Sequence, residues 1–137
     1  MQRRCGVVDV VGVALLPGHR LAFGGYSRTW GGAVATVVPA RGGLVPGVLY
    51  RLDREALGLL DAHEGAPHAY RREQVRVFAA TRRWRKADAY LLNGADGGRP
   101  SRAYLDTIGR AYRAWGFTAK IFTRPLERAA KAATRLS

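Results

Sequence analysis

The sequence predicts an α+β fold, and three observations carry that prediction. Short β-branched runs follow one another through the first half, separated by glycine pairs. Three stretches with helical spacing follow or interleave with them. The 137 residues, 47% of them hydrophobic, suffice for one core, and no repeat or long linker divides them. Closely spaced short strands favour a curled sheet or small barrel over repeated βαβ units.

The first strand is expected over residues 7–15. Arg3 and Arg4 ahead of Val7, Val8, Val10, Val11 and Val13 mimic a secretion signal, but Asp9 interrupts the apolar run. No small-residue cleavage site precedes Pro17-Gly18. Further strands are expected at 20–23, 33–38 and 45–51, punctuated by Gly24-Gly25, Gly31-Gly32 and Gly42-Gly43. Two more fall at 70–78 and 87–92. In the first of these Arg72, Gln74 and Arg76 alternate with Val75 and Val77, as in a half-buried strand.

The first helix should start after Asp53, a good N-cap, with Ala56, Leu57 and Leu60 on one face. Gly65 and Pro67 should end it. The second should start after Ser101 and carry Tyr104, Leu105, Ile108 and Tyr112 as its apolar stripe, ending at Gly116. The third places Pro125 in its first turn, then Leu126, Ala129, Ala130 and Ala133.

Composition limits the function classes. No apolar run approaches the roughly 20 residues that span a bilayer. Cys5 is the single cysteine, so no intrachain disulfide forms, and a lone thiol far from any His reads as structural. Three scattered His residues show no metal-ligand spacing. No GxSxG, Walker A loop or dinucleotide fingerprint occurs. The formal charge is +13, and 20 of the 23 basic residues are arginine. Such a charge draws in anions. The arginines are nonetheless dispersed, and the one dense cluster, Arg82, Arg83, Arg85 and Lys86 around Trp84, reads as a solvated hairpin loop. Without a nucleic-acid motif beside it, nucleic acid is disfavoured as a partner. The expected location is the cytoplasm.

One carboxylate stands out. Glu64 should fall at the C-terminal end of the first helix, facing the negative pole of its dipole, unfavourable by roughly 0.3–1 kcal/mol. Burial there would add desolvation, and both effects raise the pKa, making Glu64 a better proton acceptor near neutral pH. The plainer alternative is a solvated glutamate at a frayed helix end.

Four segments, in order, carry a resemblance. They are Phe23-Gly24-Gly25-Tyr26-Ser27-Arg28-Thr29-Trp30-Gly31-Gly32; Gly47-Val48-Leu49-Tyr50; Leu60-Asp61-Ala62-His63-Glu64-Gly65 with Tyr70 following; and Pro100-Ser101-Arg102-Ala103-Tyr104. Together they resemble the γ-glutamylcyclotransferase-like family over residues 1–116, with 117–137 left as a basic helical tail. The resemblance implies a small mixed β-barrel of about five to six strands flanked by two to three helices. It also implies a reaction that needs no cofactor. A γ-glutamyl small molecule is cyclised to 5-oxoproline, and the amine it was attached to is released. By the same resemblance Glu64 is the catalytic general acid/base, and Tyr104, Tyr70 and Gly65 contact substrate or line its pocket. Read from the residues alone, Tyr104 is equally an ordinary aromatic on the helix stripe, and Tyr70 merely the start of a strand.

One departure from the family is expected. Its members begin with a strand that ends in a Tyr-Gly-Ser loop, whereas Met1-Gln2-Arg3-Arg4-Cys5 resembles the helix that follows it. Loss of that strand would leave backbone groups unpaired and favour a homo-oligomer. Loss of the loop's donors would cost about 10²–10³ in rate per donor. A truncated, non-catalytic binding or interaction protein on the same scaffold is therefore the alternative reading.

Overall fold

The computed structural model describes residues 8–63, 70–94 and 97–135. The elements run β1 (Val8–Ser27), β2 (Gly32–Leu52), α1 (Arg54–His63), β3 (Tyr70–Ala79), β4 (Trp84–Leu92), α2 (Arg102–Ala114) and α3 (Lys120–Arg135). The α+β class is as expected. No helix among the described residues is long and apolar enough to cross a membrane.

The sheet differs from the expected barrel of five to six strands. Four strands form one open antiparallel sheet in the order β2-β1-β3-β4. The four short strands expected in the first half are two long ones, of 20 and 21 residues. The reason lies in the glycines. Gly12, Gly18 and Gly42 sit inside strands at φ of +141°, +73° and +76°. Glycine in these conformations bends a strand and lets pairing resume beyond it, where a turn would have ended it. Gly43 adds a steric requirement, because a Cβ there would lie 2.1 Å from the His19 carbonyl oxygen.

The chain groups into two compact units, Met1–Pro17 with Pro46–Asn93 and Gly18–Val45 with Gly94–Ser137. In the first, α1 starts as its sequence dictates. The Asp53 carboxylate accepts the Ala56 N–H at 2.7 Å, and the Asp53 carbonyl accepts the Leu57 N–H at 3.0 Å. Ala56 is fully buried. β1 meets β3 at Ala14↔Ala79 and Leu15↔Phe78, and β3 runs antiparallel to β4 from Tyr70↔Leu92 to Phe78↔Trp84. The turn between them is closed by Arg82 N–H to the Ala79 carbonyl and Ala79 N–H to the Arg83 carbonyl, 2.9 and 2.8 Å. Arg82 adopts φ +66°, the left-handed position that ends a three-residue hairpin loop. The basic cluster is thus split: Arg82 ends the loop, Arg83 closes it against Ala79, and Trp84, Arg85 and Lys86 open β4.

In the second unit α2 and α3 pack together. Leu105 and Tyr112 are buried on α2, seven residues apart on one face. Gly116, at φ +80°, closes α2 in a Schellman motif. Its N–H reaches the Arg113 carbonyl at 3.1 Å, and the Phe117 N–H reaches the Tyr112 carbonyl at 2.7 Å. The Phe117 ring then lies edge-on to Tyr112 at 5.6 Å, and Phe122 continues the contact at 6.2 Å. Helix α3 begins earlier than expected. Pro125 is its sixth residue rather than part of its first turn. Its missing N–H leaves the Ile121 carbonyl without the usual partner from the next turn.

Candidate active site

Tyr104 is the most fully determined of the expected site residues. Its position begins with Gly32. A Cβ there would lie 2.7 Å from the Arg99 carbonyl oxygen and 2.8 Å from the Ser101 nitrogen, so only glycine lets this backbone approach β2. The Ala33 N–H then donates to the Arg99 carbonyl at 2.8 Å, and the Gly97 N–H to the Phe23 carbonyl at 3.0 Å. The 97–101 segment is thereby fastened before α2 starts. Ser101, with extended backbone, caps the helix by accepting the Tyr104 N–H on its side chain at 3.2 Å.

The Tyr104 side chain is held at both ends. Its hydroxyl oxygen accepts the Ala35 N–H of β2 at 2.8 Å. Ala33 and Ala35 are two residues apart, so their amides leave β2 in the same direction. One goes to the Arg99 carbonyl and the other to this hydroxyl, which occupies that part of the β2 edge in place of a further strand. The ring lies against Trp30, centroids 5.2 Å apart and planes tilted by 54°. Trp30 is itself placed by the β1–β2 turn, where the Ser27 hydroxyl accepts its N–H at 3.2 Å and the Ser27 carbonyl accepts the Gly31 N–H at 2.8 Å.

Burial raises the Tyr104 pKa, and the Ala35 hydrogen bond offsets this only in part. The phenol is therefore protonated throughout the neutral range. Its oxygen is engaged as an acceptor, so its own hydrogen can donate to a carbonyl or carboxylate.

Tyr70 opens β3 in the other unit, half-buried opposite Leu92. Glu64 and Gly65 lie outside the described residues. The last residue of α1 is His63, so Glu64 follows that helix directly in the chain. The first and fourth segments of the resemblance meet around Tyr104, 69 residues along the chain from Ala35. The second and third segments belong to the other unit. Sequence reasoning assigned no role to Trp30 or to the Ala35 amide. Trp30 lies inside the Phe23–Gly32 segment, but nothing in its local spacing marks Tyr104 as its partner. Among the described residues no three His, Cys, Asp or Glu side chains gather as a metal site would require.

The family described as gamma-glutamyl cyclotransferase, AIG2-like, matches residues 1–113. The chain belongs to that family. No curated protein sequence matches significantly. Among solved structures, the uncharacterized protein loc79017 of Homo sapiens superposes with a TM-score of 0.78 at 25% identity, over 94% of this chain and 77% of that one. A structure titled gamma-glutamyl cyclotransferase superposes equally well at 24% identity, over the same shares, a likeness of fold. YkqA of Bacillus subtilis gives 0.72 at 29% identity, over 93% of this chain and 45% of YkqA.

Proposed function

We propose that this protein is a γ-glutamyl cyclotransferase, converting a γ-glutamyl amine or amino acid to 5-oxoproline and the free amine. The observation that carries the reading is family membership over residues 1–113, a span that includes both the Leu60–Gly65 block and Tyr104.

The chemistry needs few groups. The substrate's α-ammonium, with a pKa near ~8, is mostly protonated at neutral pH and cannot attack. Glu64 takes that proton. The freed nitrogen attacks the γ-carbonyl carbon, the new C–N bond closes a five-membered lactam, and the carbonyl oxygen becomes an oxyanion. The oxyanion collapses and the bond to the leaving nitrogen breaks as Glu64 returns its proton there, while the ring nitrogen sheds its second proton to solvent and the released amine takes one up at neutral pH. Nucleophile and electrophile share one molecule, so closure costs little entropy. Tyr104 offers a hydrogen-bond donor of fixed direction to the glutamyl carboxylate or carbonyl. The net charge of +13 favours capture of a substrate bearing a carboxylate.

The test is stoichiometric. The chain is incubated with a panel of γ-glutamyl amino acids and amines, and 5-oxoproline and free amine are both quantified. Equimolar release from at least one member is expected. A folded chain that releases neither from any of them would overturn the reading and leave a non-catalytic binding protein on this scaffold.

A further inference from the structure

The arginines that look dispersed along the sequence are collected by the β3–β4 register. The pairs Arg72↔Tyr90, Gln74↔Asp88, Arg76↔Lys86 and Phe78↔Trp84 are successive same-face positions of the two strands. Alternation places all eight side chains on one face of the hairpin. On the opposite face Val77, Ala79 and Leu91 are buried, while Arg71 and Glu73, at the end away from the turn, are exposed. On the outer face Arg72, Gln74, Arg76, Trp84, Lys86 and Asp88 are exposed. The loop adds Arg82 and Arg83, both exposed. The hairpin face and its turn thus carry five cations and one carboxylate, Asp88, together with the aromatic residues Phe78, Trp84 and Tyr90.

Trp84 decides what such a surface fits. It is 52% exposed, a large apolar area to leave in water. Its ring is fixed, with Phe78 edge-on at 5.3 Å and the Arg76 guanidinium 5.2 Å from its centroid. A solvated charge cluster needs no oriented indole. A sheet face that alternates cations with a fixed, open aromatic provides phosphate contacts and a stacking platform together. We propose that the outer face of the β3–β4 hairpin binds single-stranded nucleic acid, with Trp84 stacking on a base and Arg72, Arg76, Arg82, Arg83 and Lys86 meeting the phosphates. This surface lies within one unit of the chain and uses none of the residues assigned to the cyclotransferase reaction.

The experiment is fluorescence anisotropy of a labelled oligouridylate of about 12 nucleotides, within the site sizes such surfaces cover. It uses the full chain and its W84A, W84F and R76A/K86A variants, with folding checked by circular dichroism. Binding at low salt is expected, weakening as salt rises by about 0.7 logarithmic units per phosphate contact. W84A should weaken binding by about 5- to 150-fold, and W84F should restore part of the loss. R76A/K86A should lower the salt slope by about 1.4. No binding at low salt would overturn the proposal. So would unchanged binding by both W84A and R76A/K86A. Equal affinity for heparin, duplex or anionic vesicles, with no effect of W84A, would reduce the face to a charged patch and refute it as well.

Discussion

Tyr104 and Trp84 are both large aromatics with a polar handle, and the chain treats them in opposite ways. Tyr104 is half-buried and pinned by segments far apart in sequence: Ser101 at its own helix start, Ala35 on β2 and Trp30 at the β1–β2 turn. Trp84 is half exposed, and its two ring contacts, Phe78 and Arg76, come from the same hairpin. The first arrangement fixes one hydroxyl in one direction, which suits recognition of a small molecule. The second holds an open ring at a basic surface. Damage near Tyr104 should therefore spread through its unit, whereas damage at Trp84 should stay local.

That contrast can be broken at the close approaches first. Substituting Gly43→Ala would place a methyl 2.1 Å from the His19 carbonyl, and Gly32→Ala would place one 2.7 Å from the Arg99 carbonyl. Backbone must shift in both, so each should lose about 1–3 kcal/mol or more in denaturant unfolding. Only G32A should also disturb Tyr104, because it pushes away the segment that starts α2. A smaller effect is expected from Tyr104→Phe. The Ala35 N–H loses its acceptor, costing about 1 kcal/mol in the same measurement. If the hydroxyl contacts substrate, KM should rise in steady-state assays.

Helix capping gives a matched pair. Ser101→Ala and Asp53→Ala each remove one cap, so each should cost about 1 kcal/mol. S101A alone should mimic Y104F in KM, since it loosens the turn carrying Tyr104. Smallest is Arg82→Gly. Left-handed backbone costs a non-glycine residue about 1–2 kcal/mol, partly offset by the extra freedom of glycine in the unfolded chain. R82G should therefore stabilise by up to about 1 kcal/mol, detectable as a raised unfolding midpoint.

The two buried tyrosines also make stability depend on alkaline pH. Burial raises both Tyr104 and Tyr112 above the ordinary value of 10.0. The unfolded chain therefore releases these protons at lower pH than the folded one. Their contribution to stability is complete below about pH 10 and is lost as pH rises through the folded values. A spectrophotometric phenolate titration should show these two ionising above the ordinary tyrosine value of 10.0.

Much of this architecture was legible beforehand. Asp53, Ser101 and Gly116 marked helix ends correctly because capping is local chemistry, decided within a few residues. The alternation at 70–78 marked β3 for the same reason. Gly18 and Gly42 misled because a bend inside a strand and a turn between strands require the same glycine. The difference depends on whether pairing resumes beyond it, which is not a local property. Pro125 misled similarly, since a proline suits a first turn, whereas this helix starts five residues ahead of it. The motif blocks made Tyr104 a candidate, but its hydroxyl partner 69 residues away emerges only from the fold. The basic hairpin face was hidden because register, not composition, decides which arginines share a side.

In the proposed reaction Glu64 moves the proton. The most direct measurement is kcat/KM for 5-oxoproline release by the wild-type chain and by Glu64→Gln, on a substrate that the wild type turns over. Circular dichroism and unfolding midpoint are recorded for both. An unchanged fold is expected, with a fall in kcat/KM of about 10²–10⁴, the usual worth of a positioned acid–base group. A folded E64Q protein with undiminished turnover would contradict that role.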